Sequence, residues 1–318
     1  MPLDRRTPVF VAGHRGLVGS AVVRALEAAG FERILCVPRG QLDLRSQAAV
    51  TGYFERARPG VVVLAAARVG GIAANSAHPA DFIRDNLLIQ TNVIDAAFRA
   101  GVEKLVFLGS SCAYPRLAAQ PIREDQLLAG PLEESNEPYA IAKIAGMVMV
   151  RAYRRQHGFR GISLMPTNLY GPGDRFDLEA GHVVPALMRR FHEARLRGEP
   201  EVVVWGSGTP RRELLHVDDL ARAVVFLLER YDGEEPINVG TGRDISIAEL
   251  AELIRDTVGY QGAIRFDPSR PDGTPRKLLD VSRLAAMGWR PRIALRDGLA
   301  ATYRWYLEEG PGRDDRRS

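Results

Sequence analysis

Four apolar residues, Val9-Phe10-Val11-Ala12, lead directly into Gly13-His14-Arg15-Gly16-Leu17-Val18-Gly19, and a helical run at 20–29 follows and closes at Gly30. Few folds accept a short buried strand, three glycines at three-residue spacing and a helix in that order. It is the context that a dinucleotide-binding turn requires. Gly13 permits the tight turn, Gly16 lets the backbone approach a pyrophosphate, and Gly19 lets the helix pack closely on the strand. The helix start offers free N–H groups and a positive dipole end to the phosphates. The spacing is G-x-x-G-x-x-G, and a glycine triplet alone also fits an ordinary turn. The flanking strand and helix assign cofactor contacts to Gly13, His14, Arg15, Gly16, Leu17, Val18 and Gly19.

Apolar runs at 34–37, 61–64, 104–108 and 161–165 read as further strands. Residues 79–100 read as a long helix, with Phe82, Leu87, Ile94 and Phe98 at helical spacing, and another helix begins at Pro138. The alternation predicts an α/β chain, a doubly wound parallel (Rossmann-type) sheet over residues 1–175. Beyond that the alternation loosens. Helices at 182–196, from Val217, and at 246–258 and 295–307 accompany strands at 202–205 and 237–240. They read as a smaller mixed α/β substrate lobe over 176–318, interleaved with segments near 214–242 that return to the sheet. The acidic segment 121–137 reads as a surface linker, 270–277 as a Pro/Gly loop able to clamp a phosphate, and 310–318 as a frayed tail.

A chain of 318 residues with 46% apolar and 26% charged residues can bury a sizeable core. Its net charge of +4 comes without a basic stripe or aromatic platforms, which argues against nucleic acid as a partner. The same charge suits an anionic small ligand or simply a solvated surface. Two cysteines are too few for a disulfide framework and point to a reducing compartment. Cys36, in an apolar run, is expected to be a buried small hydrophobe. No signal core and no stretch of transmembrane length occurs, so a cytoplasmic protein with no membrane partner is expected, and no metal site.

An acid after the second strand would hydrogen-bond the ribose 2′-OH of NAD. Here Pro38-Arg39 follows instead, and Arg15 sits in the Gly loop. Two guanidinium groups near that ribose favour a 2′-phosphate, hence NADP(H), unless both simply face solvent. Asp43 follows, where an acid can reach the adenine amino group.

The fourth strand ends in Gly109-Ser110-Ser111-Cys112-Ala113-Tyr114-Pro115, which gathers hydroxyls and a thiol where open α/β sheets place their chemistry. Tyr139 and Lys143 lie one helical turn apart on one face. Hydride transfer needs a group that protonates the developing alkoxide. A tyrosine can do so if its pKa, ordinarily about 10, is lowered by a nearby lysine. A serine at the neighbouring strand end polarises the carbonyl. Ser110, Tyr139 and Lys143 fit these roles. Taken alone, His182 fits equally a polar helix start, and Cys112 a small buried residue.

The Gly loop, Ser110 and Tyr139–Lys143 resemble the extended short-chain dehydrogenase/reductases. Longer blocks narrow the likeness to the GDP-L-fucose synthase family. They are Gly109 to Pro115, Asn136 to Gly146, Met165 to Pro172, His182 to Leu187, Trp205 to Pro210 and Pro271 to Lys277. The resemblance covers essentially the whole chain. It implies conversion of GDP-4-keto-6-deoxy-D-mannose to GDP-L-fucose, by epimerisation at carbons 3 and 5 and reduction of carbon 4 with NADPH. It implies that Cys112 abstracts a proton and His182 returns one from the opposite face, with the two roles exchangeable at one carbon. Cofactor contacts at Pro166, Thr167, Asn168, Leu169 and His182 come from the same likeness. So do substrate contacts at Arg190, Trp205, Arg212 and Asp272, and a homodimer through helices near 79–100 and 138–157. Two other readings stay open. One is an NAD-retaining sugar-nucleotide 4-epimerase or dehydratase, against which Arg39, Cys112 and His182 speak. The other is a non-catalytic dinucleotide sensor, against which Tyr139 and Lys143 speak.

Overall fold

The computed structural model of the chain describes residues 3–178, 181–270 and 272–309. Its first half runs β1 (Val9–Ala12), α1 (Leu17–Ala28), β2 (Ile34–Leu35), α2 (Gln47–Ala57), β3 (Val61–Leu64), α3 (Ile72–Ala77), α4 (Pro79–Arg99), β4 (Lys104–Leu108), α5 (Glu137–His157) and β5 (Gly161–Pro166). The second half runs β6 (Asn168–Tyr170), α6 (Val183–Arg197), β7 (Glu201–Trp205), β8 (Arg211–His216), α7 (Val217–Arg230), β9 (Ile237–Val239) and β10 (Asp244–Ser246). It closes with α8 (Ile247–Val258), β11 (Ala263–Asp267), β12 (Arg276–Lys277), α9 (Ser282–Ala286) and α10 (Leu295–Glu309).

The main sheet is parallel throughout, in the order β2-β1-β3-β4-β5-β9. Its strands are apolar on both faces because helices cover both. With a period of two, Val9, Val11, Val61, Val63, Val106, Ile162, Leu164, Ile237 and Val239 point to one side, where they meet Ala21, Val22 and Leu26 of α1 and Leu220, Val224 and Leu227 of α7. Phe10, Val62, Leu64, Leu105, Phe107 and Met165 point to the other, against Val50 and Phe54 of α2, Val93 and Ile94 of α4 and Met147 and Val150 of α5. A third core joins α6, α8 and α10 through Met188, Phe191, Leu250, Ile254, Leu299 and Tyr303. Beside it β8 pairs with β10, β12 and β6, and β7 pairs with β11.

The doubly wound parallel sheet is as the sequence predicts, with local exceptions. The second strand ends at Leu35, and Cys36 is exposed rather than buried. β2 is the sheet's edge and its last pair is Phe10↔Leu35, so nothing lies beyond Cys36 to cover it. The segment 121–137 is not merely a surface linker. Ile122 donates to Leu278 O at 2.7 Å and accepts from Asp280 N at 2.8 Å, and buried Glu124 accepts from Asn238 N at 3.1 Å. α2, α3, β8 and β11 were not legible in the apolar pattern. In β8, Arg211-Arg212-Glu213 hides a strand because Glu213, fully buried, is charged. The stretch 310–318 lies outside the described residues.

Candidate active site

The chain passes from β1 to β2 on one side and then to β3 on the other, so a crevice opens beyond the carboxyl ends of β1 and β3. Gly13 lies there with φ +86°, and a Cβ on it would fall 2.8 Å from the Ala66 backbone. A Cβ on Gly19 would collide with the Gly13 carbonyl. These two glycines serve the fold. Gly16 differs: a Cβ there would meet only Gly13 O, at an ordinary 3.5 Å. It caps α1 with extended backbone (φ −78°, ψ 169°) and no side-chain cap, leaving the helix start bare toward the crevice. A diphosphate fits that bare start, and the glycine leaves it room to approach.

The opposite wall is the loop after β3. Asn86, 2% exposed, pins it. Its side chain accepts from Arg68 N at 2.9 Å and donates to Arg68 O at 3.0 Å and Phe82 O at 2.8 Å. A lone asparagine in a helix reads in sequence as an exposed polar residue, so this role was missed. Arg15 and Arg39 follow the adjacent strands β1 and β2, and both are exposed. Among the described residues neither guanidinium forms an ion pair, and so both stay available to an anion. Asp43 is held by Arg45 (Nε–Oδ1 3.0 Å, Nη2–Oδ2 2.7 Å). These bonds bring its carboxyl down to about 2, so it remains an ionised acceptor at neutral pH.

β4 delivers the reactive groups. Ser110 caps a short turn at Ser111–Ala113, and its hydroxyl accepts from Cys112 N at 3.2 Å and lies near enough to Tyr139 to favour its ionised form. Lys143, 4% exposed, donates to Leu108 O at 2.7 Å, and its Nζ lies 5.8 Å from the Tyr139 ring centre. The expected lowering of the tyrosine does not occur. Burial pushes the Tyr139 phenol up, the Cys112 charge adds to that, and only Ser110 opposes it. Lys143 spends its ammonium on a strand carbonyl, and burial brings it down to about 8.

Cys112 carries the feature that the sequence did not reveal. Lys277, at the end of β12, places Nζ 3.5 Å from Cys112 Sγ. Burial raises the thiol, but the Lys277 ammonium, the Ser110 hydroxyl and the His182 charge outweigh it, and the thiol titrates below its ordinary value. A thiol lowered in this way is a better base near neutrality than an ordinary one. His182 caps α6 and is 48% exposed. The Asp174 carboxylate, 3.8 Å from its Nδ1, raises its imidazole against the opposing effect of desolvation, and the Cys112 charge adds to the rise.

The other sequence-derived residues divide. Pro166 ends β5; Thr167 donates to Glu213 O at 3.2 Å; Asn168 and Leu169 begin β6, paired with β8. They form the crevice's third strand end. Arg212 lies close enough to Cys112 for the two charges to interact, and its Nη2 reaches Asp272 O at 3.4 Å. Arg190 and Trp205 form a pair in the lobe, with the guanidinium 5.0 Å from the indole and Trp205 46% exposed. The Asp272 carboxylate is engaged by Ser207, through N at 2.7 Å and Oγ at 2.8 Å.

Residues 9–240 match the model of the NAD dependent epimerase/dehydratase family. The chain belongs to that family. It is 58% identical over 305 residues to GDP-L-fucose synthase 1 of Arabidopsis thaliana, covering 96% of this chain and 94% of that protein. Among solved structures, a GDP-L-fucose synthetase from Naegleria fowleri bound to NADP matches with TM-score 0.90 and 30% identity, covering 97% of this chain and 96% of that one. MlghC, a GDP-mannoheptose C4 reductase from Campylobacter jejuni with NADP bound, matches with TM-score 0.87 and 38% identity over 96% and 99% of the two chains.

Two outcomes follow from this geometry. Gly16→Ala leaves the melting temperature within about 2 °C of the parent, since the new methyl meets only an ordinary contact, yet weakens NADPH binding about tenfold or more in titration calorimetry. Unchanged affinity would mean that nothing needs the space above Gly16. Lys277→Met removes the cation beside the thiol, so the Cys112 pKa rises. Alkylation of Cys112 by iodoacetamide, followed against pH by mass spectrometry, then shifts its midpoint upward and slows at neutral pH by about threefold or more.

Proposed function

We propose that the chain converts GDP-4-keto-6-deoxy-D-mannose to GDP-L-fucose, epimerising carbons 3 and 5 and then reducing carbon 4 with NADPH. The observation that carries this reading is the Cys112 thiol, lowered by Lys277 and sharing a turn with the carbonyl-polarising Ser110. A plain reductase has no use for a base there.

A ketone at carbon 4 acidifies the hydrogens on carbons 3 and 5. The Cys112 thiolate takes such a proton, and the electron pair moves onto the carbonyl oxygen. Ser110 and Tyr139 donate to that oxygen and stabilise its charge. His182, whose protonated form Asp174 favours, returns a proton to the opposite face. Two such inversions give the L-galacto configuration. Bound NADPH then supplies a hydride to carbon 4, and Tyr139 gives its proton to the oxygen there. A phenol raised by burial suits this step: it holds its proton at neutral pH and yields it only to a strongly basic alkoxide. Arg212 and Arg190 serve the diphosphate as planar cations, Trp205 offers its exposed face to the base or sugar, and Asp272 orders the loop around them. Arg15 and Arg39 take the 2′-phosphate of the cofactor, and Asp43 the adenine amino group.

The test is turnover of the keto sugar with NADPH in deuterated water. NADPH is consumed, and the product carries solvent deuterium at carbons 3 and 5. Cys112→Ser lowers deuterium entry by about a hundredfold. Consumption without deuterium would make the chain a C4 reductase like the Campylobacter jejuni neighbour, and no consumption would favour an enzyme that retains NAD.

The protein acts in the cytoplasm and as a homodimer through α4 and α5. No helix among the described residues is long and apolar enough to cross a membrane. Leu88 of α4 and Ile141 and Val148 of α5 are 40%, 40% and 37% exposed, and the last two share a helix face at seven-residue spacing. Sedimentation velocity finds a dimer, which Ile141→Lys with Val148→Lys converts to monomer; a monomeric parent would refute this assembly.

A further inference from the structure

The loop between β6 and α6 carries Asp174, which is 8% exposed. Its backbone N–H donates to Gly171 O at 3.2 Å, and its Oδ1 accepts from Arg175 N at 2.8 Å. Its Oδ2 is buried with no hydrogen-bond partner among the described residues. A buried carboxylate oxygen without a donor is costly, and a nearby cation offsets that cost. The ionisable partner at hand is His182, whose Nδ1 stands 3.8 Å from Oδ1 of the same carboxylate, an ion-pair separation when the ring is protonated.

His182 needs this partner as much as Asp174 does. It occupies the cap position of α6, where a side chain ordinarily accepts from the helix backbone, yet its imidazole makes no such bond. A charged imidazolium there also sits at the positive end of the helix dipole, which disfavours it. Free of capping and opposed by the dipole, the ring takes its orientation and charge from the carboxylate behind it. The ionisable groups that act on the ring are Asp174 from the loop and Cys112 from the turn after β4, with Lys277 behind the thiol.

We propose that Asp174 is the positioning residue for His182, binding Nδ1–H and so presenting a protonated Nε2 to the carbon opposite Cys112. The proposal rests on the epimerase–reductase reading for its catalytic consequence. A bond from Arg175 N to Oδ1 would by itself make Asp174 a turn-former only, but that bond does not account for the His182 ring standing within ion-pair reach of the same carboxylate.

The decisive readout needs no substrate. In full-length protein with ring-labelled histidine, His182→Asn identifies the His182 resonance, and its titration is followed by NMR. In Asp174→Asn the His182 midpoint moves to lower pH, because the anion that favoured the cation is gone. In Asp174→Glu it stays nearer the parent's. An unchanged midpoint in folded Asp174→Asn overturns the proposal, whatever the protein's substrate. Turnover supplies the second arm. Deuterium entry into the keto sugar falls about tenfold or more in Asp174→Asn, and its alkaline limb moves to lower pH. Reduction of the already epimerised keto sugar falls less, by a margin of about tenfold. An equal loss in both steps means a structural role and also overturns the proposal. A parent with no turnover would defeat the functional reading, while the NMR titration still decides the pairing.

Discussion

A single buried glutamate in β8 holds the loop after β9, the segment after β12 and the end of β5 together. Glu213 is fully buried in β8, and one of its oxygens accepts from Thr241 N at 2.6 Å and Gly242 N at 2.7 Å, the other from Leu279 N at 2.8 Å. Its own carbonyl accepts from Thr167 after β5. Burial raises this carboxyl, opposed by the backbone donors, so those three N–H groups are what make it tolerable there. The loop after β9 and the segment just past Cys112's lysine are registered on one side chain, and the crevice edge at Thr167 on the same residue's carbonyl.

Around this knot other buried polar groups do related work. Asn238 of β9 accepts from the Tyr114 hydroxyl at 2.7 Å and donates to Ile122 O at 2.9 Å and Asp280 O at 3.0 Å. The turn that bears Ser110 and Cys112 is thereby fixed from behind. Lys104, 2% exposed at the start of β4, donates to Leu228 O at 2.7 Å and also to Tyr231 O, capping the carboxyl end of α7. The reactive groups thus rest on a frame held by paired buried polar groups, and Asp174 Oδ2 is among the few buried side-chain atoms of the described residues left without a partner.

What was legible in the sequence was local. The Gly loop, the strand ends and the Tyr139–Lys143 pair depend on neighbours within one or two turns, and their spacing states the geometry. What was not legible depends on distant chain. Lys277 meets Cys112 across 165 residues, and no periodicity links them. Glu213 looked like part of a polar loop because a charge in a buried strand inverts the usual pattern. Cys36 failed in the other direction: an apolar run implied burial, but an edge position leaves the last residue uncovered. The Tyr139 phenol was misjudged because sequence gives the nearness of a lysine and not where its ammonium points.

The position of α7 and β9 bears on how this chain can be made. Both lie beyond residue 216, yet they supply the last strand of the main sheet and half of the helical cover over Val9, Val63, Val106 and Leu164. During synthesis, therefore, the first 200 residues leave the ribosome with one side of their sheet covered by α1 but not by α7, and one edge open. At about 5–20 residues per second that exposure lasts for seconds. The nascent chain presents to chaperones an apolar face and an unpaired edge at β5 that the finished protein never shows.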